Sequence, residues 1–398
     1  MHLAFIIDDY MPHSTRVAAK MFHDLAKQFV LMGHQITVIT PGVGQKSQLE
    51  TLNFEGVTVW RFSSGPLKDV SKVKRAINET LLSPRAWCAI SDKVSIDTFD
   101  GIIYYSPSIF FGHLVKKLKK RCRCPSYLIL RDLFPQWVID AGMIKQGSII
   151  ERYFRFFESL TYKQADTIGL MSHKNLELFN DLTGSLYPVE VLRNWASLKP
   201  HENRYPYEYK KKLGLENKVV FFYGGNIGHA QDMSNLMRLV KKMQSYQDAH
   251  FLFVGQGDEV ELINQLALDW KLENFSYIPS VNQNEFKQIL SEMDVGLFSL
   301  ASNHTAHNFP GKLLGYMVQS LPILGSVNVG NDLLDIVNDN KAGFITETGQ
   351  DDALFKNAIR LMDLSTRQCT GASAYALLKA EFSVENIAKK LDAKFNRI

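Results

Sequence analysis

The sequence predicts an α/β protein built as two doubly wound parallel-sheet lobes, each Rossmann-like, facing across a cleft. Three observations predict it. The 398 residues are 45% hydrophobic and 22% charged, an ordinary globular composition that excludes disorder and a fibrous repeat, and chains of this length tend to divide in two. Short β-rich apolar runs alternate with amphipathic stretches along nearly the whole length, as in parallel sheets with helices on both faces. A charged, proline-containing stretch interrupts that alternation in the middle.

In the first half the runs place strands near 2–8, 35–40, 57–62, 100–105, 126–131, 166–171 and 188–192. In the second half they fall at 218–223, 250–254, 275–279, 295–299, 321–325 and 342–346. Each set is about one doubly wound sheet. Between them, Lys199 to Tyr209 holds two prolines and no apolar period, so the expected lobes are 1–198 and 199–380. In 381–398, Ser383 is placed to cap a helix on which Val384, Ile387, Leu391 and Phe395 recur at helical spacing, and this terminal helix is expected to cross back to the first lobe.

The formal charge of +4 is too small for a dedicated nucleic-acid binder. Cys88, Cys122, Cys124 and Cys369 are too scattered for a disulfide framework or a zinc knuckle and read as reduced cytosolic thiols. The amino terminus enters an apolar run with no basic leader. The longest apolar stretch, Gly101 to Val115, is interrupted by Ser106, Pro107 and Ser108 and is shorter than the ~20 residues of a membrane span. These features predict a soluble or membrane-surface protein.

In open parallel sheets ligands bind beyond the carboxyl ends of strands, and several motifs stand there. Tyr223-Gly224-Gly225-Asn226-Ile227-Gly228-His229-Ala230-Gln231 lies between a strand and a helix starting near Met233. Glycines let backbone amides approach a phosphate, and the helix amino end favours its charge; a tight turn that binds nothing is the plain alternative. In Asn308-Phe309-Pro310-Gly311-Lys312, Pro310 suits a helix start and puts Lys312 in the first turn, where the dipole disfavours a cation unless an anion faces it.

Arg131-Asp132-Leu133-Phe134-Pro135 follows a first-lobe strand. Its carboxylate and guanidinium could hold sugar hydroxyls or a proton, or simply pair with each other or cap a helix. After the first strand, Asp8-Asp9-Tyr10-Met11-Pro12-His13-Ser14-Thr15-Arg16 leads into a long helix with Arg16 in its first turn, a second cation at the wrong end of a dipole. Asp8 and Asp9 have no further metal-ligand partner nearby in sequence, so no metal is expected. Lys116, Lys117, Lys119, Lys120, Arg121 and Arg123 crowd a helix whose Leu114, Val115 and Leu118 offer an apolar edge for anionic lipid, or are simply solvated. Lys68, Lys72, Lys74, Arg75, Arg85 and Trp87 add basic and aromatic character upstream.

The runs Gly225 to Gln231, Phe253-Val-Gly-Gln-Gly-Asp258, Asp294-Val-Gly-Leu297, Phe309 to Met317 and Leu321-Pro-Ile-Leu324 resemble the carboxyl lobe of GT-B glycosyltransferase family 4. Gly33-His34, Arg131 to Pro135 and Val191-Leu-Arg-Asn194 resemble its amino lobe, so the likeness covers nearly the full chain. Within the family it looks closest to bacterial O-antigen enzymes that transfer N-acetyl-L-fucosamine. The resemblance implies a UDP-sugar donor held by the carboxyl lobe, an acceptor held by the amino lobe, and transfer without an obligatory metal or other cofactor. Gly225, Asn226, Gly228 and Gln231 would line the donor diphosphate, Ser280 and Val281 the base, and Pro310, Gly311, Lys312 and Gly315 the diphosphate and transferred sugar. His13, Arg131 and Asp132 would meet the acceptor.

Two departures matter. Many family members carry two glutamates where this sequence has His307 and Gly315, and an Arg and a Lys where it has Asn226 and Gln231. Lys312 and Arg16, expected to face a shared crevice, are the cations left to neutralise the leaving diphosphate. The implied activity is transfer of an N-acetylated 6-deoxyhexose to a polyprenyl-pyrophosphate-linked sugar, in O-antigen or capsule synthesis, on the cytoplasmic face of the inner membrane. Asp132 would orient or deprotonate the acceptor, with Lys312 beside the leaving group. The rivals are a nucleotide-sugar epimerase of the same shape and a non-catalytic nucleotide-binding protein.

Overall fold

A computed structural model describes residues 1–14, 16–67, 70–140, 142–201, 208–302 and 310–396. Lys68, His307, Asn308 and Phe309, singled out in the sequence, lie outside the described residues. The chain divides into two units, Met1–Arg193 with Val384–Ile398, and Asn194–Ser383.

The first unit is built on an eight-stranded sheet. Its strands are β1 (His2–Ile6), β2 (Gln35–Val43), β3 (Leu49–Phe54), β4 (Val57–Ser64), β5 (Gly101–Ser106), β6 (Ser126–Leu130), β7 (Thr167–Leu170) and β8 (Val189–Val191), in the spatial order β3-β4-β2-β1-β5-β6-β7-β8. β3 runs antiparallel to β4, and the other pairings are parallel. β3 is absent from the strands expected above. Its side chains alternate between partly buried and exposed, so it carries no apolar run, as suits a strand at a sheet edge. The Glu55-Gly56 turn joins it to β4 with φ of 52° and 85°, the left-handed pair that a two-residue hairpin favours.

The second unit holds a six-stranded, fully parallel sheet: β9 (Val219–Asn226), β10 (Ala249–Gln256), β11 (Phe275–Pro279), β12 (Val295–Ser299), β13 (Ile323–Val327) and β14 (Gly343–Glu347). Both faces are covered, which is why these strands read as continuous apolar runs. Successive side chains along β9 enter opposite cores: Val220 and Phe222 join Leu252, Val254 and Tyr316, while Phe221 and Tyr223 join Phe251, Phe253 and Met237. The order β11-β10-β9-β12-β13-β14 reverses between β9 and β12, and the first sheet reverses between β1 and β5. At such reversals the flanking connections leave to opposite sides and open room for a ligand beyond the strand ends.

The division falls at Arg193–Asn194, five residues before the boundary expected at 198. Trp195 is buried, and the Ala196 amide donates to Phe382 O at 2.9 Å, so residues expected to end the first lobe already belong to the second unit. The helix Val384–Phe395 packs within the first unit, where Asp392 pairs with His34 at 3.1 Å. The Phe395 ring fills space that only a glycine leaves, since a Cβ on Gly101 would come within 2.5 Å of it. Among the described residues, no helix is long and apolar enough to cross a membrane, and all four cysteines are free.

Candidate active site

At the end of β9 the chain turns through Gly225, whose φ of 114° lies in the region that favours glycine. β10 runs so close beside it that a Cβ on Gly255 would sit 1.8 Å from Gly225 O. This close approach shapes a cavity of about 280 Å3 lined by Gly225, Asn226, Gln256, Ser280, Val281 and Phe286, among others. Four donor-binding residues expected from the sequence thus line one cavity. Ser280 Oγ donates to Gln256 Oε1 at 2.9 Å, and Asn226 Nδ2 donates to Gln231 Oε1 at 2.7 Å. Gly228 is buried, and a Cβ there would come within 2.5 Å of the Asp258 carboxylate.

The helix Gly311–Val318 starts after Pro310, which stands at the cap position, one residue earlier than expected, and offers no side-chain cap. Nothing lies within 4 Å of a Cβ built on Gly311. Lys312, in the first turn, reaches back to the glycine turn: its Nζ is 3.8 Å from a Cβ built on Gly225. There it donates to the Tyr223 hydroxyl at 2.7 Å and stands 3.9 Å from the centre of the Tyr223 ring. The Tyr223 hydroxyl donates in turn to Asn226 O. Burial pulls the Lys312 ammonium down to about 7 and pushes the Tyr223 phenol well above its ordinary value. A cation held in that state gains most from an arriving anion.

Gly315 is placed differently. A Cβ there would make ordinary contact, 3.5 Å, with Leu290, so its surroundings are apolar. Tyr223 and Gln256 stand in motifs noted in the sequence but carried no expected role, and Phe286 lies outside every motif, because aromatic residues in or beside strands look like core. His229 was quoted but given no role; it lies exposed between Glu259, 2.8 Å from Nδ1, and Asp258, 3.2 Å from Nε2.

In the first unit, Asp132 follows β6 and is exposed, yet partial desolvation holds its carboxyl above the ordinary range. Tyr105, at the end of β5, is pushed up to about 12, first by burial and then by Asp8 and Asp132, with Arg131 opposing. These four residues therefore gather at the carboxyl ends of β1, β5 and β6, around the reversal of the first sheet. Arg131, expected to meet the acceptor, has its guanidinium among backbone carbonyls at the strand ends. It donates to Leu130 O and Gly169 O at 3.3 Å and to Arg193 O at 3.2 Å, tying three strand ends together, and burial lowers it to about 10. His13 is exposed in the turn after β1. Arg16 stands at the cap position just before the helix Val17–Leu31, with Nε 3.4 Å from Asp9 Oδ2 and its side chain 53% exposed.

On the basic helix Gly112–Cys122 the expected apolar edge is overturned. Leu114, Val115 and Leu118, read as a lipid-facing edge, are fully buried in the first unit's core. Lys119 pairs with Asp166 at 2.7 Å, Arg121 donates to Val94 O at 3.0 Å, and Lys117 and Arg121 lie over the Trp87 ring. Lys116, Lys120 and Arg123 are exposed on a purely polar face. Among the described residues no cluster of three or more His, Cys, Asp or Glu side chains could hold a metal ion.

Known proteins are similar to this chain in sequence and fold. Residues 207–376 match the family model "Glycosyl transferases group 1". The chain is 25% identical over 222 residues to "Probable glycosyltransferase WbjE" of Pseudomonas aeruginosa, a match spanning about half (54%) of each chain. It is 21% identical over 313 residues to "Putative colanic acid biosynthesis glycosyl transferase WcaI" of Escherichia coli strain K12, covering 73% of this chain and 74% of that one. Among solved structures, Anabaena Alr3699/HepE in complex with UDP superposes over 100% of both chains with a TM-score of 0.71 at 14% identity. The fold is GT-B. The family match is confined to residues 207–376, and over that span the chain is similar to the group 1 glycosyltransferases.

Proposed function

We propose that this enzyme moves an N-acetylated 6-deoxyhexose, N-acetyl-L-fucosamine, from a UDP donor to a polyprenyl-pyrophosphate-linked sugar in O-antigen or capsule synthesis. The observation that carries the donor half is the Lys312 ammonium suspended over the Gly225 turn beside a base-sized cavity. As the bond from the anomeric carbon to the diphosphate oxygen breaks, negative charge grows on that oxygen, and Lys312 neutralises it. The UDP held by HepE supports the choice of nucleotide. WcaI's assignment to colanic acid synthesis supports a polysaccharide setting.

Asp132 orients the acceptor hydroxyl, whose oxygen bonds to the anomeric carbon while its proton passes to the departing diphosphate oxygen. The test is acceptor-dependent release of UDP, with UDP-N-acetylfucosamine compared against UDP-N-acetylglucosamine. Asp132→Asn is expected to lower turnover roughly a hundredfold while UDP binding holds. Wild-type turnover in that variant would remove Asp132 from the reaction, and isomerised donor formed without acceptor would replace transfer with epimerisation.

A further inference from the structure

Large apolar side chains of the first unit are exposed on two neighbouring helices. On Ile149–Tyr162, Ile149 and Phe156 share one helix face and are 84% and 59% exposed, with Tyr153 between them half-buried against Phe154 and Phe157. On Lys72–Thr80, Val73, Ile77 and Thr80 likewise share one face, with Val73 72% exposed. The hydroxyls of Thr80 and Tyr153 touch, so the two stripes meet edge to edge. The opposite side of the longer helix is core, through Phe154 and Phe157 against Phe110. Exposed apolar surface of this extent on one face marks an interaction site.

The charges around it have one prevailing sign. Lys72, Lys74, Lys145 and Arg152 are exposed there. The nearby acids are already engaged: Glu79 with Arg75, Glu151 with Arg155, and Asp140 with Gln136. Apolar anchors ringed by cations match a layer whose interior is hydrocarbon and whose surface is anionic. The segment also follows Asp132 directly in the chain, through the exposed Trp137 and Met143.

We propose that these two stripes seat the enzyme on an anionic phospholipid bilayer, a role the basic helix Gly112–Cys122 does not fill. The inference deepens the reading of a lipid-linked acceptor and rests on it. Flotation of the full chain with phosphatidylcholine vesicles, with and without about one third phosphatidylglycerol, tests it with no donor or acceptor present, so a failure here leaves glycosyl transfer standing. Binding is expected only to the anionic vesicles. It should fall at least about tenfold in Ile149→Ser/Phe156→Ser and in Lys145→Glu/Arg152→Glu, while Lys116→Gln/Lys117→Gln/Lys120→Gln binds as the wild type does. The first two changes lie on exposed positions, and an unaltered melting temperature shows the fold intact. Three results would overturn the proposal: no binding by the wild type, loss only in the Gly112–Cys122 variant, or a wild-type dimer that Ile149→Ser/Phe156→Ser dissociates, which makes the face a self-interface.

Discussion

Lys312 occupies the helix end where the backbone dipole disfavours a cation, and the structure shows what keeps it there: the Tyr223 ring and hydroxyl on one side and the glycine turn beyond. Its ammonium, brought down to about 7 by burial, makes donor binding depend on pH with a definite sign. Below pH 7 the free site is already protonated. Above it the site is neutral, and binding a diphosphate requires proton uptake. The ligand's own last phosphate ionisation lies near 6, so its charge is constant through this range. UDP affinity measured by calorimetry is therefore expected to fall by up to about tenfold per pH unit above 7, with proton uptake seen as buffer-dependent heat. Lys312→Ala should weaken UDP about 10- to 100-fold at pH 6.5, as loss of a charge-assisted hydrogen bond does, and should flatten the pH dependence. A slope that survives in Lys312→Ala would assign the titration to another group.

At the scale of elements, two glycines separate what holds the fold from what admits the ligand. Gly255→Ala drives a Cβ into the Gly225 carbonyl, a backbone clash that neither parallel strand can relieve. A cost of about 1–3 kcal/mol follows, read by calorimetry as a melting transition lowered by roughly 2–12 °C. Gly311→Ala meets open space inside a helix, so stability should hold or rise slightly, yet UDP-sugar affinity should drop if the donor approaches that helix start. Unchanged affinity would move the donor away from the helix. The same contrast explains what the sequence could reveal. Strands buried on both faces and the glycine turn after β9 are written in composition and spacing, and so the sheets and the Gly225 turn were legible; Lys312 stood out as a cation at the wrong end of a helix dipole, and Ser280 only through the family resemblance. β3 was not, because an edge strand with one wet face has no apolar run. The helix Gly112–Cys122 misled because Leu114, Val115 and Leu118 spaced for a core are spaced equally well for lipid. Tyr223 was hidden because its ring is core and only its hydroxyl is part of the site.

For the whole molecule, the two sheets carry different chemistry at equivalent places. Beyond β9 and β12 the second unit presents a cation, glycines and a cavity; beyond β1 and β5 the first presents Asp8, Tyr105 and Asp132. Duplicated architecture thus gives one end suited to an anion and one suited to hydroxyls. If the donor belongs to the second unit, its footprint must be confined there. Hydrogen exchange of the full chain with UDP at about a hundred times its dissociation constant, which stabilises the binding form by roughly 2.7 kcal/mol, is expected to slow exchange in 223–231, 254–258 and 310–317. Exchange in 131–138 should stay as in the free enzyme until acceptor is added, because the local openings that expose its amides do not involve the UDP-bound elements. Protection of 131–138 by UDP alone, with none at 310–317, would reverse the roles given to the two units.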